Sequence, residues 1–194
     1  MSISLTKGQK ISLSKQGDSL SRIFMGLGWD AAKKGGLFGG LFGGGGGNID
    51  LDASCLVFDD KGTVLDEIWF RQLQGMAGAV VHTGDNLTGE GEGDDEVIKV
   101  DLSRLPAEVK SLVFTVNSFQ GQTFNEVDNA FCRVVDEASD RELARFSLSE
   151  AGSHTGLIMA KLYRHNGEWK IHAIGEKTNG RTFHDMMPAI QSAL

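Results

Sequence analysis

The stretch from Gly156 to Gly175, "GLIMAKLYRHNGEWKIHAIG", constrains the fold more than any other in the chain. Asn166-Gly167 suits a two-residue type I′ turn, because both central residues of that turn need positive φ. Beyond it Trp169, Ile171 and Ala173 alternate with Lys170 and His172, the period of a strand with one buried face. The same texture recurs throughout as short β-rich runs punctuated by turn residues. Strands are expected over residues 3–5, 10–13, 23–29, 51–58, 68–70, 97–102, 111–117, 130–136, 142–148, 156–164 and 169–175. "FDDKG" and "DEASDREL" read as two further hairpin turns.

Helices are few and short. "SRLPAEV" and "TFNEVDNA" each suit one helical turn. At the C-terminus Phe183, Met186, Met187, Ile190 and Leu194 recur at helical spacing, with Pro188 inside the run as a kink or a shifted start. The fold class is therefore mainly β, a two-layer β-sandwich with a few short helices and a C-terminal helix. A length of 194 residues suits a single domain spanning 1–194. Residues 35–47, "GGLFGGLFGGGGG", are nine-thirteenths glycine and are expected to form a flexible surface loop. Leu37, Phe38, Leu41 and Phe42 in it are apolar stickers for a partner, or part of a tolerated insertion.

Acidity is concentrated in one place. Residues 84–96 hold six carboxylates (Asp85, Glu90, Glu92, Asp94, Asp95, Glu96), four glycines and no Lys or Arg, so they supply −6 of a formal charge of −7. A nucleic-acid binder needs a basic face, which this balance argues against. No run reaches the roughly 20 apolar residues of a membrane span, and "MSISLTKGQKISLSK" lacks a signal-peptide core. A cytoplasmic protein is expected.

Extended over about 40 Å, the acidic stretch would need no counter-ion. Its glycines favour curling, which brings carboxylates together. At 4 Å and an effective dielectric near 20, each like-charge pair costs about 4 kcal/mol. Several such pairs would consume much of a domain's roughly 5–15 kcal/mol of stability, so a curled loop calls for a cation. The donors at hand are carboxylates, the Asn86 amide, the Thr88 hydroxyl and backbone carbonyls. Hard oxygen ligands in a flexible loop favour Ca²⁺ over Mg²⁺, Zn²⁺ or copper. The loop is not an EF-hand: counted from Asp85, Glu96 is twelfth, but Leu87 and Gly89 replace ligands and Glu90 replaces the required glycine. Further ligands are expected from Asp50 and Asp52, which share one strand face with Ser54, and from Asp30. A lone His82 flanking the loop reads as a strand residue rather than a ligand.

"SLTKGQKISLSK", "GLGWD", "DLDAS" and "HTGDNLTGEGEGDDEVIKVDL" resemble the TerD-domain family of tellurium-resistance and general bacterial stress proteins, of the TerD, TerE and TerZ type. "NAFCRVVD", "ELARFSLSE" and "LYRHNGEWKIHAIGE" extend the resemblance over nearly the whole chain, while the glycine-rich segment departs from it. The resemblance implies a β-sandwich holding one or two Ca²⁺ ions in acidic loops. The matching positions are Asp30, Asp50, Asp52, Asp85, Asn86, Asp94, Asp95 and Glu96, with backbone carbonyls at Gly89 and Gly91. It further implies partners among other tellurium-resistance and stress proteins, one of them membrane-bound, and no catalytic activity.

Two alternatives stand beside this reading. One is a thiol-dependent redox protein reducing tellurite through Cys55 and Cys132, which are 77 positions apart with no CxxC. The other is a metal-independent assembly scaffold. No HExxH, GxSxG or Walker-type motif supports a hydrolase.

Overall fold

The computed structural model describes residues 2–13, 20–31, 49–84, 93–148 and 152–194. Among them are thirteen strands: β1 (Ile3–Leu5), β2 (Lys10–Ser12), β3 (Arg22–Ala31), β4 (Leu51–Phe58), β5 (Val64–Ile68), β6 (Gln74–Gly75), β7 (Val80–His82), β8 (Glu96–Asp101), β9 (Ser111–Ser118), β10 (Val127–Asp136), β11 (Arg141–Ser147), β12 (Gly156–His165) and β13 (Glu168–Thr178). One helix, α1 (Phe183–Ser192), follows. The strands form two sheets packed as a sandwich, one ordered β1-β11-β10-β3-β8-β7-β6 and the other β2-β13-β12-β9-β4-β5. The glycine-rich loop expected over 35–47 lies outside the described residues.

The anticipated hairpins are present. Asn166 and Gly167 take φ of 52° and 79° between β12 and β13, the pair of positive angles a type I′ turn requires. At "FDDKG", Asp59 accepts from the backbone N–H of both Lys61 and Thr63 at 2.8 Å, closing the turn between β4 and β5. "DEASDREL" joins β10 to β11. Three expectations need correction. The strand expected at 68–70 lies earlier, at Val64–Ile68, because Trp69 turns away to bridge Gln72 in a tight reversal. "SRLPAEV" forms turns rather than a helical turn, and β6 and β7 were not anticipated beyond the reading of His82 as a strand residue.

Between the sheets sits the main core, with Ile23, Leu27 and Trp29 of β3 facing Leu51, Ala53 and Cys55 of β4. A second apolar cluster lies on the outside of the six-stranded sheet, where Phe183, Met186 and Ile190 of α1 cover Leu56, Phe58, Val113 and Ile158. This third layer explains why all eight residues of β4 and of β9 are buried, and why "CLVF" and "SLVFTV" read as continuous apolar runs. The helix runs through Pro188 rather than stopping, since its buried face outweighs the lost hydrogen bond. Asp185 secures the helix start by accepting from the backbone N–H of Arg181 at 2.8 Å and of Thr182 at 3.3 Å.

The outer face of the seven-stranded sheet carries ion pairs instead. Lys99 donates to Glu137 at 2.7 Å, and Arg145 to Glu142 at 2.8 Å. These exposed contacts contribute little each, so stability rests on the two apolar clusters. Phe183, with no solvent exposure, anchors the second of them and meets Trp69 edge-on at 5.2 Å. Phe183→Ala is expected to lower the unfolding free energy by about 3–5 kcal/mol, read as a fall in the urea midpoint with an unchanged m-value.

Candidate metal centre

Four segments converge at one end of the sandwich, and hydrogen bonds define the convergence. Trp29 Nε1 near the end of β3 donates to Ile49 O at 3.0 Å, just before β4. The backbone N–H of Trp29 donates to Asp95 Oδ2 at 2.9 Å, just before β8. The backbone N–H of Ala53 on β4 donates to Glu96 Oε2 at 2.6 Å. That last bond crosses from one sheet to the other. It caps a part of β4 that β5 does not reach, since β5 pairs only from Cys55 onward. Asp30, Asp50, Asp52, Asp94, Asp95 and Glu96 are thereby gathered at one end. Asp85, Asn86, Gly89 and Gly91 lie outside the described residues.

The three consecutive acids of "GDDE" meet three different environments. Asp94 stands on the outer face of the seven-stranded sheet, where both its oxygens pair with the Arg133 guanidinium at 2.8 Å. Gly26 makes this possible: a Cβ there would lie 2.3 Å from the Asp94 carboxyl carbon. Gly28 leaves equivalent room for the Phe131 ring and the Gly93 carbonyl, at 2.5 Å and 2.6 Å from the same hypothetical atom. The two glycines of "GLGWD" are thus sites of close approach. Asp94 was expected as a metal ligand in a region without encoded positive charge. Among the described residues its charge is met by Arg133 of β10, 39 positions downstream.

Asp95 is half-buried, and its carboxyl sits above the usual range. Desolvation is the main cause, opposed by the Trp29 N–H and reinforced by the like charges of Asp30 and Asp94. Glu96 points between the sheets, 1% exposed. His82 Nε2 lies 3.4 Å from Glu96 Oε2, both side chains fully enclosed. His82 Nδ1 accepts from the backbone N–H of Gly84 at 3.2 Å, which leaves the neutral ring's proton on Nε2, facing the carboxylate. His82 is indeed a strand residue, the last of β7.

Asp50 and Asp52 are 6% and 4% exposed, so they are not solvated surface acids. Asp52 faces outward from the core together with Ser54, and Asn117 across the sheet donates to its Oδ2 at 3.2 Å. Asn117 also donates to Arg181 O at 2.6 Å, tying this patch to the lead-in of α1. Asp30 is exposed and accepts from the Asn129 amide at 2.7 Å. Every side-chain donor these acids present is a hard oxygen, which suits calcium. Among the described residues alone, no three His, Cys, Asp or Glu side chains converge closely enough to hold an ion.

This architecture defines a class: a β-sandwich whose acidic end is braced by backbone N–H groups and one arginine. The TerD domain pattern matches residues 1–187, and the chain belongs to the TerD-domain family of tellurium-resistance and general stress proteins. It is 58% identical over 192 residues to the tellurium resistance protein TerZ of Serratia marcescens, covering 99% of this chain and 98% of that one. It is 44% identical to stress response protein SCP2 of Bacillus subtilis (strain 168), covering 96% and 98%. Among solved structures, a homologue of telluride resistance protein (TerD) from Streptomyces coelicolor A3(2) superposes with a TM-score of 0.67 at 20% identity. That superposition covers 84% of this chain and 92% of the other. The sandwich fold is shared.

The Asp94–Arg133 pair is the centre's most direct brace, and Arg133 was the residue that sequence reading missed. Only its alternation with Cys132 and Val134 on β10 marked it as facing outward. Arg133→Met is expected to destabilise calcium-free protein by about 1–3 kcal/mol. Pairing it with Asp94→Asn in a double-mutant cycle should return less than the sum of the single losses. Additive losses would remove the brace.

Proposed function

We propose that this chain is a non-enzymatic calcium-binding protein of the bacterial stress response, associated with tellurite resistance. In this reading Asp30, Asp50, Asp52 and Asp95 supply carboxylates from the described side of the centre. Asp85, Asn86 and the Gly89 and Gly91 carbonyls complete it, holding one ion or two. Bound calcium would neutralise the like charges and order the adjoining surface. Other tellurium-resistance and stress proteins, one of them membrane-bound, would then recognise that surface in the cytoplasm. Glu96 and Asp94 act as braces, through Ala53 and Arg133.

The observation that carries this reading is the half-buried Asp95, held beside Asp30 and Asp94 with its carboxyl pushed up. A cation at that position would relieve repulsion that the described residues leave in place. The burial of both thiols supports a non-enzymatic role over thiol-dependent reduction. Cys55 and Cys132 are enclosed, Cys55 raised far above its ordinary value and Cys132 pushed up to about 12, mainly by desolvation. No described helix is long and apolar enough to cross a membrane.

Thermal and urea melts of chelator-stripped protein test the reading. Calcium at 100 times its dissociation constant should add about 2.7 kcal/mol, with a smaller response to magnesium. Asp95→Asn should lose most of that gain while remaining at least as stable as wild type in chelator near neutral pH. The sign follows from the raised carboxyl. Protonated Asp95 contributes stability below its unfolded pKa, and that contribution is lost as pH rises through its folded value. The variant's advantage in chelator should therefore close as pH falls through the raised Asp95 value. A variant that keeps the full calcium response removes Asp95 from the centre.

A further inference from the structure

Beyond the apolar patch under α1, the outer face of the six-stranded sheet carries a row of basic side chains. Lys10 on β2 lies directly opposite His172 on β13, and His172 directly opposite Lys161 on β12. Residues opposed in adjacent strands share a face, so three neighbouring strands set these groups side by side. Lys110, immediately before β9, joins them with Ser111 and Tyr163 around a cleft of about 220 Å³. Leu194 also lines the cleft, and its main-chain oxygen accepts from Lys161, while no Asp or Glu side chain lines it among the described residues. Glu168, on the same face of β13, accepts from the Ser12 hydroxyl at 2.9 Å.

Like charges opposed across a sheet are destabilising unless something compensates them. Lys161, only 8% exposed, donates to the main-chain oxygens of Ala193 at 2.7 Å and of Leu194. Those oxygens fix its ammonium without reaching Lys10. His172 Nδ1 is buried and makes no hydrogen bond among the described residues. Burial and Lys10 together hold Lys161 below its ordinary value, and burial, Lys10 and Lys161 do the same to His172. Lys10 therefore still repels both Lys161 and His172, although main-chain oxygens hold the Lys161 ammonium. That is unexpected in a chain whose net charge is −7.

We propose that this cleft binds a phosphate-like oxyanion. Lys10, Lys110 and Lys161 would supply positive charge, and the His172 ring with the Ser111 and Tyr163 hydroxyls would supply directional donors. Charge-assisted bonds of this kind are the strong ones. The cleft is smaller than the roughly 300–1,000 Å³ of drug-sized ligand sites, so it suits a free anion or a single phosphoryl headgroup rather than a nucleotide. The proposal goes beyond the calcium reading and does not rest on it.

Titration of full-length protein in chelator at low ionic strength tests it, following the His172 ring resonances by NMR. Sodium phosphate should produce a saturable shift that sodium chloride at matched ionic strength does not reproduce. Glycerol 3-phosphate forms a second arm: binding there equal to phosphate assigns the cleft to phosphoryl headgroups, and weaker binding assigns it to the free anion. Lys10→Gln should weaken phosphate about tenfold or more, the scale of one hydrogen bond to a charged group. Lys10→Arg should preserve binding. Lys10 is exposed, so the variant is expected to fold, as an unchanged melting temperature would verify. A shift reproduced by chloride, or an affinity unaltered by Lys10→Gln, overturns the proposal.

Discussion

The bond from the Ala53 N–H to Glu96 Oε2 is the contact on which the rest of the acidic end depends. It joins the two sheets where β4 has lost its β5 neighbour and would otherwise leave a buried N–H without an acceptor. A buried carboxylate is costly by itself, and His82 faces it from β7 with its ring proton. Because Glu96 is fixed, the residues before it are fixed too. Asp95 meets the Trp29 N–H and Asp94 meets Arg133. Three successive acids are therefore aimed in three directions, each by a donor from a different strand.

That arrangement turns a liability into a directed site. Like charges crowded at the end of a sandwich would push its loops apart if all were equivalent. Here the protein itself holds two of them, Asp94 by pairing with a guanidinium and Glu96 by a hydrogen bond from a backbone N–H. The repulsion that remains is concentrated on Asp95 and its neighbour Asp30. The glycines of "GLGWD" belong to the same device, because an alanine at position 26 would displace the Asp94 carboxylate and release the Arg133 pairing.

Much of this was legible in the sequence, for definite reasons. Asn166-Gly167 announced its hairpin because a type I′ turn admits few other pairs. Asp50, Asp52 and Ser54 were placed on one strand face by period alone; β4 bears Asp52 and Ser54 so, while Asp50 lies just before it. The pairing of Asp52 was not legible, since it comes from Asn117, which approaches from elsewhere in the chain and is itself tied to Arg181. Arg133 was invisible for the same reason: sequence distance hides a partner that antiparallel register supplies. The strand β7 escaped because three residues are too few to show a period. Trp69 and Phe70 looked like strand by composition, but the Trp69–Gln72 bridge bends them into a turn.

The helix α1 organises charge as well as packing. It covers the outer face of the six-stranded sheet over Leu56, Phe58, Val113 and Ile158, and its C-terminal end reaches only Lys161 of the Lys10–His172–Lys161 row. Along β9, Asn117 stands beside Asp52 at the acidic end, while Ser111 stands at the basic cleft. Six residues of strand separate them, about 20 Å. Screening at 0.1 M salt acts over about 10 Å, so the two regions present nearly independent fields. The net charge of −7 is then a poor guide to what a partner meets. One end of the molecule is acidic and the far part of one face is basic, and a single buried strand holds both at a fixed separation.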